Sequence, residues 1–490
     1  MRPATAPASL TEGPIARSLL LFALPILGST VLQSLNASVN AMWIGHFLGE
    51  AALTATSNAT LILFLLLSAV FGVSMASTIL VGQSLGAKDV AEARRVVGTG
   101  VGFFVAVSLA VAIAGWFGTA GMLRLLGTPP DALPYAVAYL RIIFVALPSM
   151  YFYSFLMMTL RGAGDSKTPF LFMGLSVVLD IGLNPLLMFG WGPFPKLGIA
   201  GSATATLIAQ TVALAALLIT LYRRRHFLWI GRHELALLKP DAAILRALVL
   251  KGLPMGLQMI VISSSAIVMM RLVNAYGSQT VAAYGAATQL WTYVQMPAMA
   301  IGAAVSSMAA QNVGARLWQR VDRIALTGVA YNFLLGGSLI ALIYLFNRAA
   351  LNLFLPGDGV ALELASHLNA IVVWSFLFFG VTFVLFGVVR STGAVWPPLV
   401  ILLLTMWFVR PPFALALQQR LGADAIWWSF PLGSLISMLL AMAYYRYGGW
   451  RKARMLAPSH AGQAPTTGLG VPVAPMGESI RSKTAALDMH

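Results

Sequence analysis

The 490-residue chain is predicted to be an all-α integral membrane protein with twelve transmembrane helices in two six-helix, pseudo-symmetric lobes. Three observations predict this. The composition is 59% hydrophobic and only 9% charged, with a mean hydropathy of +0.83. Soluble domains carry about a quarter charged residues, so there is too little polar material to cover a water-facing surface. Apolar runs that reach the roughly 20 residues needed to cross a bilayer recur from Ile15 to Tyr447. None has the short alternating pattern of an outer-membrane barrel strand. Finally, the chain repeats itself at an offset of 228–229 residues.

Taken in order, the spans fall near 15–47, 52–83, 96–118, 135–160, 169–190, 198–222, 247–275, 280–312, 324–346, 364–389, 395–418 and 425–446. The first, second, seventh and eighth are long enough to tilt, bend or project beyond the lipid. No cleavable signal pattern precedes the first span, which is therefore expected to serve as its own insertion signal. Of 31 Lys and Arg residues, 24 fall on segments of one side, four on the other and three within spans. By the positive-inside rule both termini are expected in the cytoplasm, with the protein in the inner membrane. The net charge of +16 is thus a topology and anionic-lipid signal rather than a nucleic-acid footprint. The absence of cysteine excludes disulfides and thiolate metal sites, and the six histidines show no metal-ligand spacing.

The repeat is read from three pairs of segments. "QSLGAK" at 83–88 matches "QNVGAR" at 311–316, and "LRGAGDSKTP" at 160–169 matches "VRSTGAVWPP" at 389–398. Pro25 in the first span matches Pro254 in the seventh. An even number of spans per half makes the two lobes parallel, an organisation suited to alternating access. The expected domains are a lobe over 1–222, a basic linker over 223–246, a second lobe over 247–456 and a disordered tail over 457–490. The linker has an amphipathic flavour suited to the membrane surface.

"VVLDIGLNPLLMFG", 177–190, holds the only carboxylate placed in the membrane interior, Asp180. An ionised Asp there costs about 2.5–3.5 kcal/mol on insertion scales, and intramembrane acids are functional by default. A proton or Na⁺ competing with a cationic cargo for that one group would couple their movements. Asn184 shares its helix face, and Pro185 frees the carbonyl of Ile181, a further oxygen for Na⁺ at an Asp180–Asn184 site. Gln33, Asn36 and Asn40 form a polar stripe on the first span; Ser202, Thr206 and Gln210 share a face of the sixth. Both sets are read as candidates to face Asp180, with interhelical glue as the competing reading of the first. Arg410-Pro411-Pro412 reads as a helix break with a structural arginine. "RGAGDSKTP" lacks the Gly-Lys-Ser/Thr ending of a phosphate-binding loop and reads as a tight turn.

Four stretches together resemble the multidrug and toxic compound extrusion (MATE) family of cation antiporters. They are "SVNAMWIGHFLGEAALTA" at 38–55, "STILVGQSLGAKDVAEAR" at 77–94 with its repeat, "LRGAGDSKTP", and "DIGLNPLLMFG" leading into "LGIAGSATATLIAQ" at 197–210. The resemblance implies a V-shaped pair of lobes that exports organic cations in exchange for protons or sodium, with no cofactor. The sequence departs from the family pattern twice. Asn40 stands where the family usually has a first-helix Asp, and Asp180 and Asn184 exchange the usual fifth-helix order. All coupling would then fall on one acid. A monomer is expected, in contact with membrane lipids and small organic cations and with no nucleic-acid partner. A lipid-linked oligosaccharide flippase is the alternative within the superfamily. An integral-membrane enzyme is the alternative of another class, but no catalytic cluster supports it.

Overall fold

The computed structural model describes residues 9–48, 50–190, 194–355 and 359–456, and the predicted disordered tail over 457–490 lies outside them. Among the described residues there is no strand. The first half comprises α1 (Ile15–Leu48), α2 (Glu50–Gly86), α3 (Val90–Leu125), α4 (Leu133–Gly162), α5 (Lys167–Phe189) and α6 (Ile199–Arg223). The second comprises α7 (Ala242–Asn274), α8 (Ser278–Gly314), α9 (Trp318–Leu345), α10 (Val360–Arg390), α11 (Trp396–Leu421) and α12 (Asp424–Tyr447).

Eleven of these helices are long and apolar enough to cross a membrane, and α8 is the one that is not. Its 37 residues contain no charge but many Ala, Gly, Ser, Thr and Gln, and 22 of them are buried. A helix enclosed by protein does not need a lipid-compatible surface, so low hydropathy here marks an interior helix. Several helices also overrun the apolar runs that predicted them. α3 starts at Val90 because the Asp89 side chain accepts from Glu92 N at 2.8 Å. This N-cap places Arg94 and Arg95 on the helix instead of in a loop. Asp241 caps α7 in the same way through Ala243 N and Ile244 N.

The repeat recurs as geometry. Lys88 and Arg316, equivalent in the two copies, are both held at positive φ, 62° and 59°. The same turn hydrogen bonds surround them, Asp89 N to Ser84 O at 2.8 Å and Leu317 N to Asn312 O at 2.9 Å. Each copy's glutamine crosses to the other half. Gln83 Nε2 donates to Ser391 O at 2.6 Å, and Gln311 Nε2 donates to Gly162 O at 3.1 Å. Gln311 Oε1 also accepts from Leu10 N at 2.9 Å. A Cβ on Gly86 would lie 1.9 Å from Gln311 O, and one on Gly314 would lie 1.9 Å from Gln83 O. The two halves are therefore pinned backbone to backbone at the end that carries the basic turns. On the same side Leu19, Phe22 and Ala23 of α1 pack on Ala304, Val305 and Met308 of α8. Towards the opposite end the second half keeps a core of its own, with Met269, Tyr284, Trp291 and Trp427.

The segment between the halves docks on α3. Its 3-10 helix, Arg232–Leu238, carries Glu234, which pairs with Arg94 of α3, and Arg94 Nη2 also donates to Trp229 O at 2.6 Å. The helix break read at Arg410-Pro411-Pro412 is not present: α11 runs on to Leu421. A π-helical turn over Leu404–Val409 precedes the prolines. Its widened rings leave carbonyls without i+4 donors, which is where two residues lacking N–H fit. Ser265 Oγ of α7 satisfies one such carbonyl, Met406 O, at 3.0 Å.

Candidate functional site: a polar cluster inside the first lobe

α1, α5 and α6 bring three pairs of polar residues to one level, each pair spaced i, i+4 on its helix. On α5 these are Asp180 and Asn184, both buried at 4% and 1% exposure. α1 runs parallel to α5 and supplies Asn36 and Asn40. α6 runs antiparallel and supplies Ser202 and Thr206. Asn36 Nδ2 donates to Asp180 Oδ2 at 2.7 Å, and Thr206 Oγ1 donates to Asp180 Oδ1 at 3.1 Å. One turn away Asn40 Oδ1 accepts twice, from Asn184 Nδ2 at 3.0 Å and Ser202 Oγ at 2.9 Å.

Asp180 points into the lobe and not outward, so its charge is met by donors from two other helices. Those donors stabilise a carboxylate more than a carboxylic acid. The other end of the cluster is unfinished: Asn184 Oδ1 is buried with no hydrogen-bond partner. A buried amide oxygen without a donor costs about 1–3 kcal/mol, and here it stands one turn from a carboxylate. Together the cluster offers carboxylate, amide and hydroxyl oxygens, the hard donors that suit an alkali or alkaline-earth cation and not a soft metal.

Gln33 and Gln210 are not brought into this network. Gln33 is exposed, Gln210 is half-buried, and neither makes a hydrogen bond to the cluster. Tyr139 of α4, buried, lies close enough to Asp180 to interact with its charge. Nothing in the sequence singles it out, because a tyrosine in an apolar span reads as packing. Arg410 sits in the other half, against the ring of Phe430.

Comparison with known proteins bears on the fold and the family. A family model described as MatE matches the chain twice, over residues 25–186 and 254–415, which reproduces the 229-residue repeat. The probable multidrug resistance protein YoeA of Bacillus subtilis is 38% identical over 441 residues, covering 90% of this chain and 95% of its own length. YpnP of the same organism, also a probable multidrug resistance protein, is 32% identical over 91% of this chain and 98% of its own. Among solved structures, an outward-facing multidrug resistance MATE family transporter superposes with a TM-score of 0.84 at 19% identity, covering 91% of this chain and 98% of that one. With the repeat, the twelve helices and both halves matched, the chain belongs to the MATE family and is a multidrug-efflux membrane transporter, not an enzyme.

Proposed function

We propose that this transporter is a secondary-active antiporter that exports organic cations in exchange for H⁺ or Na⁺, with Asp180 as the shared site of coupling ion and cargo. The observation that supports this reading is the state of Asp180: among the described residues it is the buried carboxylate in mid-helix, held by Asn36 and Thr206. A single negative charge so enclosed is compensated by a proton, a metal cation or a cationic cargo, one at a time. That exclusion is the thermodynamic basis of exchange. The unpartnered Asn184 Oδ1 favours Na⁺ over H⁺, since an amide oxygen ligates a metal cation and has no affinity for a proton at neutral pH. Asp180 and Asn184 would hold that ion, with Thr206 and Asn40 oxygens beside it.

In this reading the basic end and both termini face the cytoplasm, and the protein is a multi-pass monomer of the inner membrane, surrounded by lipid. Its lobes are 1–222 and 247–456, joined by 223–246. The test is efflux of ethidium from proteoliposomes under an imposed pH or Na⁺ gradient. Wild type should respond to one of the gradients, and Asp180→Asn should lose that response while still binding detergent-solubilised substrate more weakly. Gradient-driven transport at the wild-type rate in Asp180→Asn would refute the assignment.

A further inference from the structure

The second lobe carries an unpaired cation at the level where the first carries its acid. Arg410 lies twelve residues beyond Pro398, and Asp180 lies eleven beyond Pro169, the equivalent proline. The π-helical turn Leu404–Val409 falls inside the longer interval. Rings closed i to i+5 take up one residue more than α-helical ones, so Arg410 and Asp180 come to corresponding heights on corresponding helices. The neighbours correspond as well. Asn36, which serves Asp180, is matched at the 229-residue offset by Ser265, which serves the π turn through Met406 O.

The surroundings of Arg410 are built for its side chain but leave its charge unanswered. Its guanidinium carbon lies 3.7 Å from the centroid of the Phe430 ring. Gly433 makes room for its stem, since a Cβ there would come within 2.6 Å of Arg410 Cγ. Phe430 in turn packs with Tyr284 and Trp291. Of five N–H donors, one reaches a thioether, Met406 Sδ, at 3.1 Å, and Nε is buried with no partner. None of the ion pairs among the described residues includes Arg410. A planar guanidinium fixed by an aromatic face, with free donors and no acid, is the arrangement that takes up a carboxylate or phosphate in a forked pair.

We infer that the second lobe holds an oxyanion-binding subsite at Arg410, which takes a carboxylate or similar oxyanion on an aromatic ligand. It rests on the chain being a multidrug exporter, but not on ion coupling at Asp180.

The test is equilibrium binding to the purified full-length protein in detergent, by fluorescence polarisation, of two probes. One is a rhodamine with a free benzoate carboxylate and the other is its methyl ester, so that they share a cationic ring system and differ only in the anion. Arg410→Gln should weaken the free acid about tenfold or more and leave the ester within about twofold. Equal weakening of both probes, or no weakening of the acid, would overturn the subsite. If Arg410→Gln does not fold, competition on wild type decides. Sodium benzoate should displace the free acid and not the ester, and displacement of both or neither overturns the proposal. Asp180→Asn, by contrast, should affect both probes alike because both carry the same cation. Failure of the coupling assignment is therefore distinguishable from failure of this one.

Discussion

Gln311 carries more of the junction between the halves than its counterpart Gln83, and that inequality is measurable. Removing the Gln311 amide leaves Leu10 N–H and Gly162 O, both buried, without their partners. Each orphaned group costs about 1–3 kcal/mol. In a conformation with the halves parted at this end, water meets both groups and neither cost applies. Gln311→Ala should therefore raise the population of the parted state by roughly 30-fold or more, the factor for about 2 kcal/mol. Gln83→Ala orphans only Ser391 O and should have the smaller effect, about fivefold at the lower limit. The protein has no cysteine, so Ser391→Cys supplies a single thiol at a position that is fully buried in the closed junction. Maleimide should label it slowly in the parent, faster with Gln83→Ala and fastest with Gln311→Ala. A thiol at Ser429, buried in the second lobe's own core, should stay unlabelled in all three and so report that the fold is intact. Labelling of position 391 within about twofold of the parent in Gln311→Ala, or faster in Gln83→Ala than in Gln311→Ala, would refute the reasoning.

Other perturbations follow from the same geometry. Gly86→Ala and Gly314→Ala each drive a Cβ onto a backbone oxygen that cannot move aside; both should cost about 3 kcal/mol or more and sharply lower the yield of monodisperse protein on size exclusion. Trp291 Nε1 donates to Asn369 Oδ1 at 2.8 Å, and Asn369 Nδ2 donates to Asn347 Oδ1 at 3.1 Å. Trp291→Phe should therefore lower the apparent Tm by the few degrees that an orphaned amide implies, and an unchanged Tm would count against the network. His226, in the turn after α6, is held below its usual pKa by burial, with Asp165 opposing the shift and Arg224 adding to it. Its Nδ1 accepts from Leu228 N at 3.3 Å, which requires the unprotonated atom. The unfolded chain then binds more protons than the folded one below about pH 6.5, so stability should fall as pH falls through that value and level off below the depressed pKa. The pH dependence of the apparent Tm should flatten in His226→Gln.

Much of the site was legible because i, i+4 spacing on three helices is a one-dimensional signal. Asp180–Asn184, Asn36–Asn40 and Ser202–Thr206 are each one turn apart, so three such pairs form two rungs of a ladder. The same arithmetic included Gln33 and Gln210, which lie about a further turn along α1 and α6 and stay outside the network, exposed and half-buried. Ser176, buried one turn before Asp180 on α5, stands where a third rung would fall, but neither glutamine hydrogen-bonds to it. Less legible were features that depend on what surrounds a helix. The eighth segment reads as one more long span, and only the structure shows that its low hydropathy goes with enclosure by protein. Arg410-Pro411-Pro412 reads as a break because the π turn that accommodates the two prolines has no composition of its own. The polar overruns at Val90 and Ala242 are set by single capping carboxylates, Asp89 and Asp241, whose effect hydropathy averages away.

The two halves agree where they touch and differ where their interiors are independent. At the junction the correspondence is residue by residue: Gln83 with Gln311, Gly86 with Gly314, Lys88 with Arg316, and the carbonyls of Gly162 with Ser391. The glutamine-to-carbonyl hydrogen bond recurs from both sides of the junction, and Gln311 adds a second one from Leu10 N. Half-way along the lobes no such constraint applies, because the polar groups there answer to partners in their own half. In that layer the first half keeps three oxygen- and amide-bearing pairs around a carboxylate. The second keeps an extra residue in a π turn, a serine hydroxyl on the carbonyl it exposes, and a guanidinium. Two copies of Asp180 would place two like charges in one membrane interior, each needing its own compensating ion. With opposite charges in the two lobes, filling one site does not oppose filling the other, and a cargo that carries both signs gains from each.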